Sequence, residues 1–275
     1  MTDWNAFSAL FKTTLLLYAA AALVYLILIA LRRKGTLAEL LVGLAFLANS
    51  ADIVRAWMAT GHPPFQTLFQ SLVFFSWSVT FFFFITRLLT RVRLIGLFTT
   101  VFAAAALAFA LGKPDFREVL MPPALQSVWF IPHVIFYFFG YGALFISFVT
   151  ALLHLRFPQP KTVTLNHWLG YSEVNFERFT YNAIRFGFFL ITLGLFVGAV
   201  WAESAWSAYW SWDPKENWAL ITWLIYLAYL HLRRRPRWQG KPAAIFAIVG
   251  FAAVIVTYLG VNYLPSIAGA LHAYQ

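Results

Sequence analysis

The sequence contains no cysteine, so the chain forms no disulfide and offers no thiolate to a metal or a redox relay. Any metal chemistry must rest mainly on its 6 histidines. Charge is scarce as well. Charged residues make up 11% of the chain, against roughly 25% in a soluble globular domain, which excludes a water-soluble core. What is there instead is apolar: 61% of the residues are hydrophobic and 20% aromatic. Runs such as 13–31, 94–111 and 243–261 approach or reach the roughly 18 to 20 residues a helix needs to cross about 30 Å of hydrocarbon. The first run has the length of a full span and no small-residue cleavage pattern, so it reads as a membrane helix rather than a removable signal peptide.

Apolar runs between basic breaks predict helices near 9–31, 37–57, 66–88, 93–112, 127–155, 180–201, 216–234 and 243–263. The expected fold is therefore all-α: a polytopic integral membrane protein with about eight transmembrane helices. It is expected to form a single membrane domain over 1–275, because the longest connections are too short to bury a core of their own. Of the 20 Lys and Arg, 15 fall on one set of alternate connections. The other set holds Lys12, Arg55, Lys113, Arg117 and Lys215, with 7 of the 10 acidic residues. By the positive-inside rule the basic side is cytoplasmic and both termini lie outside. This dispersal beside apolar spans also argues against a nucleic-acid partner, despite a net charge of +10. The partner of the apolar surface is the lipid bilayer. In the connection 157–179, Trp168, Tyr171, Phe176 and Phe179 alternate with Glu173, Glu177 and Arg178, which fits an amphipathic connector or a short helix lying at the interface.

Between 201 and 223 the sequence reads WAESAWSAYWSWDPKENWALITW, holding Trp201, Trp206, Trp210, Trp212, Trp218 and Trp223, half of the 12 tryptophans. An interfacial aromatic belt accounts for one or two such rings at a helix end, not six together. If the stretch is helical, Trp206 and Trp210 share a face with Tyr209 and Trp212 beside them, making a flat aromatic platform. Asp213-Pro214 ends that element: Asp213 suits the N-cap of the next helix, with Pro214 and Glu216 in its first turn. An outer tryptophan-rich loop over 201–218 suits a large, planar, apolar ligand with polar edges, and haem has that shape.

Haem iron needs axial ligands. His133, early in the fifth span, and His272, in the tail beyond the eighth, both reach the outer face, and neutral imidazole is a standard ligand of haem iron. A lone histidine there is most often an interfacial hydrogen-bonding residue; two beside the tryptophan loop weaken that alternative. His231 and His154 lie at inner span ends, and spacing alone does not choose an inner ligand between them. For His154 and His167 the solvated cytoplasmic-end reading is favoured. His62, in TGHPPF, either caps the third helix or rests in a proline-enforced turn. No residue reads as a catalytic nucleophile.

These motifs resemble the CcsA or ResC family of System II cytochrome c biogenesis, within the wider group of WWD-domain haem-handling proteins. The match rests on AESAWSAYWSWDPKENWALITWLIYLAYLHLR at 202–233, with GHPPFQTLFQSLVFFSW at 61–77, PALQSVWFIPHV at 123–134, GFFLITLGLFVGAVWAE at 187–203 and TYLGVNYLPSIAGALHAYQ at 257–275. The resemblance implies that His133 and His272 ligate an outer haem b flanked by the WWD loop. It implies that His231 ligates an entry site lower in the membrane, its counterpart on a CcsB- or ResB-type subunit. It further implies a component of a holocytochrome c synthase in a bacterial cytoplasmic or thylakoid membrane, carrying reduced haem outward for thioether attachment to a Cys-x-x-Cys-His segment of apocytochrome c. The rival readings are a CcmC-like haem-delivery protein without synthase activity and a transporter unrelated to haem. Two positions depart from the family pattern: Ser207 stands where glycine is usual, and Gln70 where an acidic residue is usual.

Overall fold

The computed structural model describes residues 7–33, 35–113, 121–157 and 174–260. Among them are eight α-helices: α1 (Ala9–Ala30), α2 (Thr36–Thr60), α3 (Leu68–Leu89), α4 (Arg93–Leu111), α5 (Phe130–Arg156), α6 (Phe176–Trp206), α7 (Pro214–Leu232) and α8 (Lys241–Tyr258). The expected eight helices are present, and no strand occurs among the described residues. Seven are long and apolar enough to cross a membrane; α7 falls outside that group because its first turn, Pro214 to Asn217, is polar. The largest departure in boundaries is α6. It takes in Phe176 and Phe179, which are its first turn rather than part of an interfacial helix, and it runs on to Trp206. Trp168 and Tyr171 lie outside the described residues.

The helices pack as two compact units, α1–α4 and α5–α8, within what the sequence presents as one membrane domain. In the first, polar side chains pair between helices because lipid offers them nothing. Tyr18 and Thr80 hydroxyls are 2.9 Å apart, Asn49 Nδ2 donates to Ser76 Oγ at 2.9 Å, and Arg87 binds Glu39 through two bonds of 2.8 and 2.9 Å. Rings fill the spaces between: Trp77 stacks on Phe46, Phe74 and Phe81 and donates its indole N–H to Ser50 Oγ at 2.8 Å.

The second unit is built on α5 and α6. A Cβ on Gly140 would lie 3.3 Å from the Gly187 carbonyl oxygen, and one on Gly187 would lie 3.2 Å from that of Gly140, so these backbones meet where neither residue has a side chain. Thr150 and Thr180 hydroxyls bridge the same helices at 2.8 Å. Trp223 donates to Thr192 Oγ1 at 2.9 Å, joining α7 to α6, and Thr222 and Thr257 hydroxyls, 2.8 Å apart, join α7 to α8.

Candidate haem-binding site

The glycine seam continues along α6 to His133. This residue lies one turn into α5, and its Nδ1 is 2.9 Å from the carbonyl oxygen of Gly194. A carbonyl can only accept, so Nδ1 carries the proton and the lone pair of the neutral ring sits on Nε2. The ring packs against Trp201 at 5.2 Å and 30°, and edge-on to Tyr137 at 5.0 Å. Trp201 is itself buried and fixed: its indole N–H donates to the Ala124 carbonyl at 2.8 Å, and it touches Phe130 and, at 4.9 Å, Trp206. His133, Trp201 and Trp206 thus form one chain of contacting rings.

Helix α6 stops at Trp206 because Ser207 turns left-handed (φ 57°, ψ 29°), its N–H donating to the Glu203 carbonyl at 2.8 Å. That conformation is the one glycine adopts without cost, and here serine holds it. It also corrects the expected platform. The stretch beyond 206 is not helical, so Trp206 and Trp210 share no helix face. Rings that touch do so at steep angles, 66° for Trp201–Trp206 and 85° for Trp210–Trp212, giving a stepped surface rather than a flat one. Tyr209 and Trp212 are its exposed members, at 63% and 68%.

The polar residues hold this loop more tightly than their cap positions alone suggest. Asp213 caps α7 as expected, accepting from the Lys215 N–H at 2.8 Å. The buried Glu216 carboxylate accepts from the N–H groups of Ser211 (2.8 Å) and Asp213 (3.1 Å) and from the Ser211 hydroxyl. Asn217 Nδ2 donates to the Trp212 carbonyl at 2.9 Å. The Asp213-x-x-Glu216 spacing is a capping-box signal legible in the sequence; the reach back to Ser211 is not. Trp218 is held through its carbonyl, which accepts from Thr257 Oγ1 at 3.0 Å.

The remaining histidines separate. His231 is exposed in the last turn of α7, 18 residues beyond Asp213, about 27 Å along the helix axis. His154 is buried at 7% exposure beside the Gly240 turn, which overturns the solvated reading. His62 does not cap α3. Thr67 does, and His62 rests in the turn after Gly61 with the Gln66 amide against its ring. Gln70 takes over the acceptor role at that cap, its Oε1 receiving the N–H groups of Gln66 and Thr67 at 2.9 and 3.3 Å. His272 and His167 lie outside the described residues. Among the described residues no three His, Asp or Glu gather into an ion cage. Among the described residues, His133 is an imidazole whose tautomer is assigned by its hydrogen bond, leaving the Nε2 lone pair as the donor atom.

The family model described as Cytochrome C assembly protein matches residues 65–268, a stretch that includes His133, the tryptophan loop and His231. The chain belongs to the cytochrome c assembly protein family. Membership ties it to cytochrome c maturation. Among curated relatives it is 35% identical to the cytochrome c biogenesis protein CcsA of Pyropia yezoensis, over 92% of each chain. It is 34% identical to CcsA of Microcystis aeruginosa, over 99% of this chain and 96% of that one, and 35% identical to CcsA of Parasynechococcus marenigrum, over 96% and 94%. Among solved structures the cytochrome c haem lyase CcmF shares the fold, with a TM-score of 0.61 at 18% identity over 90% of this chain and 45% of that chain.

Proposed function

We propose that this member of the family is the haem-binding and haem-translocating subunit of a System II cytochrome c synthase. In this reading it presents reduced haem b at the outer membrane face for attachment to apocytochrome c. The observation that carries the reading is the setting of His133, whose Nδ1–H is spent on Gly194 and whose ring joins Trp201 and Trp206 beside the tryptophan loop. His133 and His272 would hold the iron of the outer haem. His231, at the opposite end of α7, is the ligand of an inner entry site completed by a CcsB- or ResB-type partner. Trp206, Tyr209, Trp210, Trp212 and Trp218 would supply apolar surface to the macrocycle, the buried Trp201 would back His133, and Asp213 sets the loop's exit. Both termini lie outside the cytoplasm.

The chain's own task is positioning. Haem supplies two vinyl groups; each cysteine S–H of the Cys-x-x-Cys-His segment adds across one, forming a C–S and a C–H bond with no net oxidation. No side chain of this protein enters those bonds; the ligands and loop hold the reacting edges close, which lowers the entropic part of the barrier.

The test is the visible spectrum of the purified full chain, alone and with its partner subunit. A Soret band with the sharp reduced bands of low-spin bis-histidine haem is expected. A chain that stays colourless after haem is added contradicts the proposal.

A further inference from the structure

We infer that Gly194, Gly198 and Trp201 of α6 form a notch that fixes the tautomer and plane of His133, making Gly198 a positioning residue for its Nε2 lone pair. The inference rests on the reading of His133 as a haem ligand. The spacing of four and then three residues puts the three on one face of α6. Each acts on the ring differently. Gly194 contributes the carbonyl that receives Nδ1–H. Trp201 contributes a buried wall at 5.2 Å, held by its own bond to Ala124. Gly198 contributes an absence: a Cβ there would lie 2.4 Å from His133 Nδ1 and 2.5 Å from Cε1, closer than real Cβ contacts come.

The imidazole cannot step aside cheaply. Moving off Gly198 stretches the Nδ1–H bond to Gly194, and a ring that loses that bond loses the constraint that keeps the proton on Nδ1. Tyr137 fills the neighbouring slot, where a Cβ on Gly194 would meet it at 2.8 Å, so the two rings occupy successive glycine gaps of the same helix. Gly187, about three turns nearer the helix start, also leaves no room for a Cβ, which would lie 2.8 Å from the flexible Leu144 side chain, with no part of His133 among its nearest atoms. It provides the control for general damage to the α5–α6 seam.

The experiment loads the full chain with added haem and compares wild type with Gly198→Ala, Gly187→Ala and His133→Gly. The readouts are haem retention on dilution, the reduced absorption bands and the electron paramagnetic resonance signal of the oxidised iron. Gly198→Ala is expected to weaken retention by about tenfold, the low end of what loss of a ligand's outer-shell support costs, and to broaden the low-spin signal. Gly187→Ala is expected to keep the wild-type signal. Added imidazole is not confined by the notch, so His133→Gly/Gly198→Ala with imidazole should match His133→Gly with imidazole.

An unchanged signal in Gly198→Ala alongside an altered one in His133→Gly overturns the notch and leaves the ligand standing. An equal change in Gly187→Ala, or a further loss in the imidazole-rescued double variant, overturns it too, because the effect is then seam packing. An unchanged signal in His133→Gly removes the ligand itself, and the proposed function with it.

Discussion

Ser207 and Trp212 both hold positive φ without being glycine, at 57° and 59°. Each carries a steric cost of about 1 kcal/mol, and each brackets the segment that carries Tyr209 and Trp210. Replacing Ser207 by glycine removes one cost without touching a ring, so thermal unfolding at a fixed scan rate should move up by a few degrees; a lower midpoint would show that the serine side chain supports the turn. Glu216 is the opposite case. Its buried carboxylate receives two backbone N–H groups and one hydroxyl, so Glu216→Ala leaves the Ser211 and Asp213 donors without their acceptor. We expect a loss of about 2 kcal/mol, concentrated in the loop, seen as faster proteolysis between Ser207 and Pro214 with the spans intact. Protection equal to wild type would mean that the loop is held elsewhere.

At the scale of elements, α6 has 31 residues, about 46 Å at 1.5 Å per residue, against a hydrocarbon core of about 30 Å. Its ends therefore stand in the headgroup region or water, and its exposed Ser204 should be accessible from outside. Cysteine at Ser204 should label with an impermeant reagent in intact cells, and cysteine at Arg234 only after the membrane is opened; the chain has no native cysteine to confuse the result. Labelling of position 234 from outside would reverse the topology. Hydropathy placed this span at 180–201 because it senses partition into lipid, whereas the helix is started by the Asn175 side chain capping Arg178 N and stopped by the left-handed Ser207. The start of α7 was legible because Asp213, Pro214 and Glu216 encode it locally. The His133–Gly194 bond was not, since it depends on the register of two helices whose contacting residues are 61 apart in sequence.

Over the whole molecule, the described residues of the candidate site all belong to the α5–α8 unit, with His133 near the α5 start, His231 at the far end of α7 and the tryptophan loop between α6 and α7. The placing of His133 near the start of α5 and of His231 near the end of α7 was legible from the span boundaries, because lipid forces apolar runs onto the sequence. The stepped ring surface was not, because it follows from left-handed turns at Ser207 and Trp212, residue types that seldom adopt that conformation. The central claim, that outer imidazoles ligate haem, is tested most directly by chemical rescue. His133→Gly and His272→Gly should each lower haem content and abolish maturation of a reporter cytochrome c, and added imidazole should restore part of both by occupying the vacated axial position. Unchanged low-spin bis-histidine spectra in both variants would contradict the account and turn the tryptophan loop into a surface for the apocytochrome or the partner subunit.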